Sequence, residues 1–123
     1  MSDSNLGNQT VVSADQRIEP AELRVGDLVI SILAHRVTVK GVNVHLTRKE
    51  FELLTLLVLR VGTTVTKDMM LDHLYRGGDK PELKVVDVFI CKLRKKIKEA
   101  CAGWHPIETV WGRGYTISHS ENV

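Results

Sequence analysis

No run of apolar residues in this sequence approaches the roughly 18 that a membrane-spanning helix needs. The first five residues carry neither the basic start nor the apolar stretch of a secretory leader. Cysteine is almost missing: Cys91 and Cys101 are the only two in 123 residues. Ten positions separate them on what reads as one helix, about 15 Å of rise. That is too far for a disulfide between them and suits a reducing, cytoplasmic setting. Catalytic patterns are missing as well. The five histidines, His35, His45, His73, His105 and His119, fall into no HExxH spacing and read as surface or partly buried residues. No CxxC pair offers a zinc site, and no glycine-rich phosphate loop follows a strand. Neither enzyme activity, nor a metal, nor a cofactor is expected.

What is present is one domain's length of chain, 43% hydrophobic, enough to bury a core. The net charge is only +2, but it is unevenly placed: residues 84–98 hold six Lys or Arg against one Asp. In that stretch Val86, Ile90, Leu93 and Ile97 recur at steps of four, three and four, which is helical spacing. Phe89 lies beside this stripe. At about 100° per residue, Lys84, Val88, Cys91, Lys92, Lys95 and Lys98 fall on the opposite side. That face carries four lysines and no acid. An ordinary solvated face mixes signs, with Glu placed four residues before Lys. Here the small Val88 and Cys91 would let the helix backbone approach a surface while long cations reach phosphate. A basic helix lying on a membrane is the competing reading, weakened by an apolar face that is narrow and aliphatic.

In chain order, residues 1–21 read as a flexible polar tail, with Pro20 near its end and a folded domain expected over 22–120. From Leu23 the pattern alternates: Leu28, Ile30 and Ile32, then Val37 and Val39, then Val42 and Val44. Gly26-Asp27 and Lys40-Gly41 punctuate it as tight turns. This predicts three or four short antiparallel strands that must pack on helices to be stable. Thr47 and Glu50 form a capping-box pair ahead of a nearly all-apolar helix to Arg60, with Gly62 expected as its C-cap. Residues 63–65 are β-prone and free to pair with a distant strand. Thr66 is expected to cap a second helix to Tyr75, with Met70, Leu71 and Leu74 inward and methionine as core filler. Residues 76–81 break that helix, and Asp79 with Glu82 is a second possible capping pair. After Gly103, residues 107–118 read as a hairpin with Arg113 between two glycines at its tip. An Arg so placed suits a narrow minor groove.

Short helix, loop, long basic helix and hairpin is the order of a winged helix-turn-helix. The runs LTRKEFELL, GTTVTKDMMLDHLY, PELKVVDVFICKLRKKI and IETVWGRGY resemble the effector domain of OmpR/PhoB-type response regulators, and within that family the CtrA-like cell-cycle regulators. The resemblance covers about residues 26–117. It implies an α+β fold: an N-terminal antiparallel sheet, three helices and a C-terminal β-hairpin wing. It implies double-stranded DNA as partner, with helix 84–98 in the major groove and the wing in the minor groove. Residues at the family's DNA-contact positions are Lys84, Val88, Cys91, Lys92, Arg94, Lys95 and Arg113. The loop Arg76, Gly77, Gly78, Asp79 and Lys80 matches the segment that touches RNA polymerase. Paired TTAA half-sites, a head-to-tail dimer on DNA and a cytoplasmic, nucleoid-associated location are implied too. Family members carry an N-terminal phosphoacceptor receiver domain, and the tail 1–21 does not resemble its end. The chain therefore reads either as a stand-alone effector domain or as a part of a longer protein. A protein-interaction module that competes with a CtrA-like regulator, or binds polymerase, is the alternative function. Cys91, a thiol among lysines, is also a candidate for oxidation, against the plainer reading of a small residue chosen for close approach.

Overall fold

The computed structural model describes residues 22–118. The tail 1–21 and the last residues, including the expected domain end at 120, lie outside the described residues. Four short strands come first: β1 (Glu22–Val25), β2 (Leu28–Ser31), β3 (Arg36–Val39) and β4 (Val42–Val44). They form an antiparallel meander in that order. Leu28 faces Val39 and Ile30 faces Val37, so the alternation delivers Val25, Leu28, Ile30, Val37, Val39 and Val44 to one buried face. Lys40 and Gly41 make the β3–β4 turn with φ of +52° and +82°. Two positive φ values in a two-residue loop match the right-handed twist of the strands they join.

Helix α1 (Arg48–Leu59) is the hub, in contact with the meander, both later helices and the wing. Its capping box forms as expected: the Glu50 N–H donates to Thr47 Oγ1 at 3.3 Å, and the Thr47 N–H donates to Glu50 Oε1 at 2.9 Å. Phe51, Leu53, Leu54, Leu56, Leu57 and Val58 are buried, whereas Leu59 is exposed. Gly62 does not cap the helix. Arg60 occupies the C-cap at φ −112°. Gly62, two residues on at φ +85°, sends its N–H to the Ile117 carbonyl at 2.7 Å. The glycine turns the chain into the wing sheet because that is where its N–H finds an acceptor.

Strand β5 (Val65–Thr66) leads into α2 (Lys67–Leu74). Thr66 caps it, accepting from the Met69 N–H at 3.1 Å, and Met70, Leu71 and Leu74 point inward. The long helix α3 (Lys84–Ala100) buries Val86, Ile90, Leu93 and Ile97, the stripe read from the sequence. Its expected Asp79/Glu82 cap is not made. Leu83 precedes the helix already in the αR conformation, with no side-chain cap bond. The carbonyls of Glu82 and Leu83 take the Val85 and Val86 N–H groups at 3.0 Å each, and Lys80 pairs with Asp72 of α2. Strands β6 (Ile107–Val110) and β7 (Gly114–Ile117) form the C-terminal hairpin, and β5 joins it in the order β5-β7-β6. The β-prone segment ahead of α2 thus finds its distant partner in β7, with Val65 opposite Tyr115. No helix among the described residues is long and apolar enough to cross a membrane.

Candidate nucleic-acid interface

Four inward aliphatic residues fix the rotation of α3 on the core, and that decides which side chains it presents. Lys84, Val88, Cys91, Lys92, Lys95 and Lys98 are all exposed. The helix runs two residues beyond its expected end, and this changes one expectation. Glu99 is exposed and, at 100° per residue, falls on the same face. The face is acid-free from Lys84 to Lys98 and closes on Glu99 at its C-terminal end.

The other charges of α3 are turned inward or sideways and paired. Asp87 Oδ2 accepts from Lys67 Nζ of α2 at 3.1 Å, and Asp87 Oδ1 accepts from the Tyr115 hydroxyl of β7 at 2.5 Å. The tyrosine hydrogen bond, with help from Lys67, outweighs partial burial and holds the Asp87 carboxyl below the usual carboxylate range. Burial, then the bond to Asp87, pushes the Tyr115 phenol up to about 12. Lys96 donates to Glu50 Oε1 at 2.6 Å. Arg94 does not join the exposed lysines. Its Nη2 donates to the Ile107 carbonyl at 3.1 Å and to Thr109 Oγ1 at 2.8 Å, both on β6, and its guanidinium lies 5.3 Å from the Tyr115 ring centre. Of the six cations in the basic stretch, four face outward and two hold the fold.

The wing packs on the Asp87 and Arg94 flank of α3. Arg113 is exposed in the turn between β6 and β7, its N–H bonded to the Val110 carbonyl at 2.9 Å. The flanking glycines have structural reasons of their own: Gly112 has φ +77°, and Gly114 packs against the backbone of β5. Trp111 is 88% exposed. An open groove of about 690 Å³ runs between the wing tip and the α2–α3 side, with Trp111, Arg113, Thr66, Lys67 and Leu83 among its walls. The loop residues Arg76, Gly77, Gly78, Asp79 and Lys80 are exposed at the far end of α2. Sequence reasoning missed Tyr115, Thr109 and Lys67, because their partners lie 15 to 28 residues away and no local spacing marks them.

The family model described as "Transcriptional regulatory protein, C terminal" matches residues 41–117. The chain belongs to this family. Its members are the OmpR/PhoB-type DNA-binding domains of transcriptional regulators, and the expected winged helix-turn-helix fold is borne out by their structures. Over 95 residues the chain is 58% identical to the cell cycle transcriptional regulator CtrA of Caulobacter vibrioides, a match that covers 77% of this chain and 41% of CtrA. It thus spans about two fifths of the length of the curated relatives it matches. Among solved structures, DrrB of Thermotoga maritima, an OmpR/PhoB homologue, aligns at TM-score 0.70 and 34% identity over 80% of this chain and 44% of DrrB. The DNA-binding domain of Klebsiella pneumoniae RstA, in complex with the RstA box, aligns at TM-score 0.65 and 31% identity over 79% of this chain and 96% of that domain. These relatives of the OmpR/PhoB-type family are regulator domains, not enzymes, in keeping with the missing catalytic motifs.

Proposed function

We propose that this OmpR/PhoB-type domain binds double-stranded DNA at specific sequences to regulate transcription, with α3 in the major groove and the wing in the minor groove. The observation that carries the reading is the α3 face: four exposed lysines flank Val88 and Cys91, and Arg113 stands exposed on the wing. The RstA domain in complex with its box supports it. Lys92 reaches guanine edges or phosphate, Val88 packs on a thymine methyl, and Cys91 permits close approach. Lys84 and Lys95 clamp phosphates. Arg113 enters the minor groove. The half-sites are paired TTAA sequences, occupied by two copies head to tail. The exposed loop from Arg76 to Lys80 is the surface for RNA polymerase.

Fluorescence anisotropy over a salt series tests this, with one duplex carrying tandem TTAA half-sites and a second in which they are scrambled. Expected are a steep salt slope on both and a preference of roughly tenfold or more for the TTAA duplex. Equal weak binding to both overturns the sequence-specific reading. Lys92→Ala and Arg113→Ala are each expected to weaken binding by about 1–3 kcal/mol. Unchanged affinity in both variants removes these side chains from the interface.

A further inference from the structure

We infer that Arg94 is a positioning residue: with Tyr115 and Asp87 it buckles the wing to α3, so that the helix and the hairpin meet DNA as one rigid body. The inference rests on the DNA-binding reading for its functional consequence and on the free protein's geometry for its structure. Asp87 and Arg94 are seven residues apart, two helical turns, and so share one flank of α3. That flank faces the hairpin. Arg94 Nη2 serves two acceptors on β6, the Ile107 carbonyl and Thr109 Oγ1, while its guanidinium stacks over the Tyr115 ring on β7. The same Tyr115 sends its hydroxyl to Asp87 one turn into the helix. Lys67 closes the set from α2, 3.1 Å from the other Asp87 oxygen. Tyr115 is therefore held at its hydroxyl by Asp87 and across its ring face by Arg94, both residues of α3.

Arg94 is half-buried; its Nε is buried and finds no hydrogen-bond partner among the described residues. The nitrogen that holds the wing, Nη2, is already committed to two acceptors on β6, so turning it to a phosphate would release the wing. A planar, forked and stacking cation is needed where two acceptors and an aromatic face converge, and lysine does not supply that geometry. For DNA the consequence is angular. The helix and the Arg113 tip address different grooves, so a wing held at a fixed angle favours duplexes whose groove geometry suits both elements. A wing released from α3 would adapt to any duplex, keep its phosphate contacts and lose discrimination.

The substitutions that separate this role from a DNA contact conserve charge. Arg94→Lys keeps the positive charge and removes the fork. Thr109→Val removes one acceptor from a residue on β6 without altering charge. Made in the full chain, each is expected to speed amide hydrogen exchange across residues 107–117 on the order of tenfold, the effect of losing one charge-assisted hydrogen bond to a locally opening unit. Each is expected to lower the TTAA-over-scrambled preference several-fold at an unchanged salt slope. The double variant should fall short of the sum of the singles, because both cut the same bond. The proposal is overturned if wing exchange and duplex preference in Arg94→Lys match the wild type, or if Arg94→Ala lowers the salt slope by about one phosphate contact. A wild-type chain that shows no duplex preference sinks the DNA-binding reading instead, and the exchange measurement on free protein still decides the buckle.

Discussion

Gly114→Ala is expected to strip the wing sheet from the body of the domain and to cost about 3 kcal/mol of stability, the upper range for forcing a group into a packed interior. A Cβ on Gly114 would lie 2.1 Å from the Val65 carbonyl oxygen and 2.9 Å from the Thr66 Cα. Both are backbone atoms of β5, so no rotamer change relieves the clash. Strand β5 has to move, and it is tied at two points. Val65 pairs with Tyr115, and Thr66 caps α2. Displacing it loosens the α2 start and the hairpin together. Gly112→Ala is the control. Its backbone is left-handed at φ +77°, unlike that of Gly114, but a Cβ there meets open space, so only the left-handed penalty of about 1–2 kcal/mol applies. Thermal unfolding followed by circular dichroism should rank Gly114→Ala well below Gly112→Ala. Equal midpoints would mean that the close approach of β7 to β5 does not limit this fold.

This contact also shows where sequence reading stops. Signals that act within about four residues were legible. The inward stripe of α3, the Thr47–Glu50 box, the Thr66 cap and the Lys40-Gly41 turn all stand as read, because each depends on backbone geometry a few positions long. The six-residue outer face of α3 followed from the same periodicity. What could not be read was which flank of α3 meets which later element. Arg94 looked like one more cation in a basic run. Its neighbours on β6 lie 13 and 15 residues downstream, and only the folded hairpin brings them to it. Gly62 looked like a helix terminator because glycine commonly is one, yet its N–H answers a carbonyl 55 residues away. Asp79 and Glu82 had capping spacing, but the helix starts at Lys84 with Leu83 at the cap position, four residues past Asp79. The outward lysines were legible because a solvent-facing position follows from helix periodicity alone. The cations missed were the ones with internal partners.

Lys96→Met is expected to lower stability by about 3 kcal/mol near neutral pH, the cost of removing one partner from a buried ion pair. Glu50 is 1% exposed. Its carboxylate accepts from Lys96 on α3, 46 residues away, while it closes the α1 capping box through the Thr47 N–H. Burial alone would raise the Glu50 carboxyl. The Lys96 and Thr47 hydrogen bonds and the lysine charge outweigh burial and hold it below 4.5. A folded-state value below the unfolded one adds stability that is fully present above about pH 4.5 and is lost as pH falls through the folded value. Without Lys96 the burial effect is opposed only by the capping bonds, the carboxyl rises, and the variant tolerates protonation of Glu50 better than the wild type does. The deficit of Lys96→Met should therefore shrink as unfolding by urea is repeated from near pH 7 down to about pH 3. A deficit constant across that range would show that Lys96 acts by packing its methylene stem and not by compensating the buried charge. The double variant Glu50→Leu with Lys96→Met separates these further. With no charge left to compensate, it should recover most of the single variant's loss, short by about 1 kcal/mol for the broken capping box. This pair joins the start of α1 to α3, so the recovered stability should come with an α3 still seated to expose Lys84, Lys92 and Lys95.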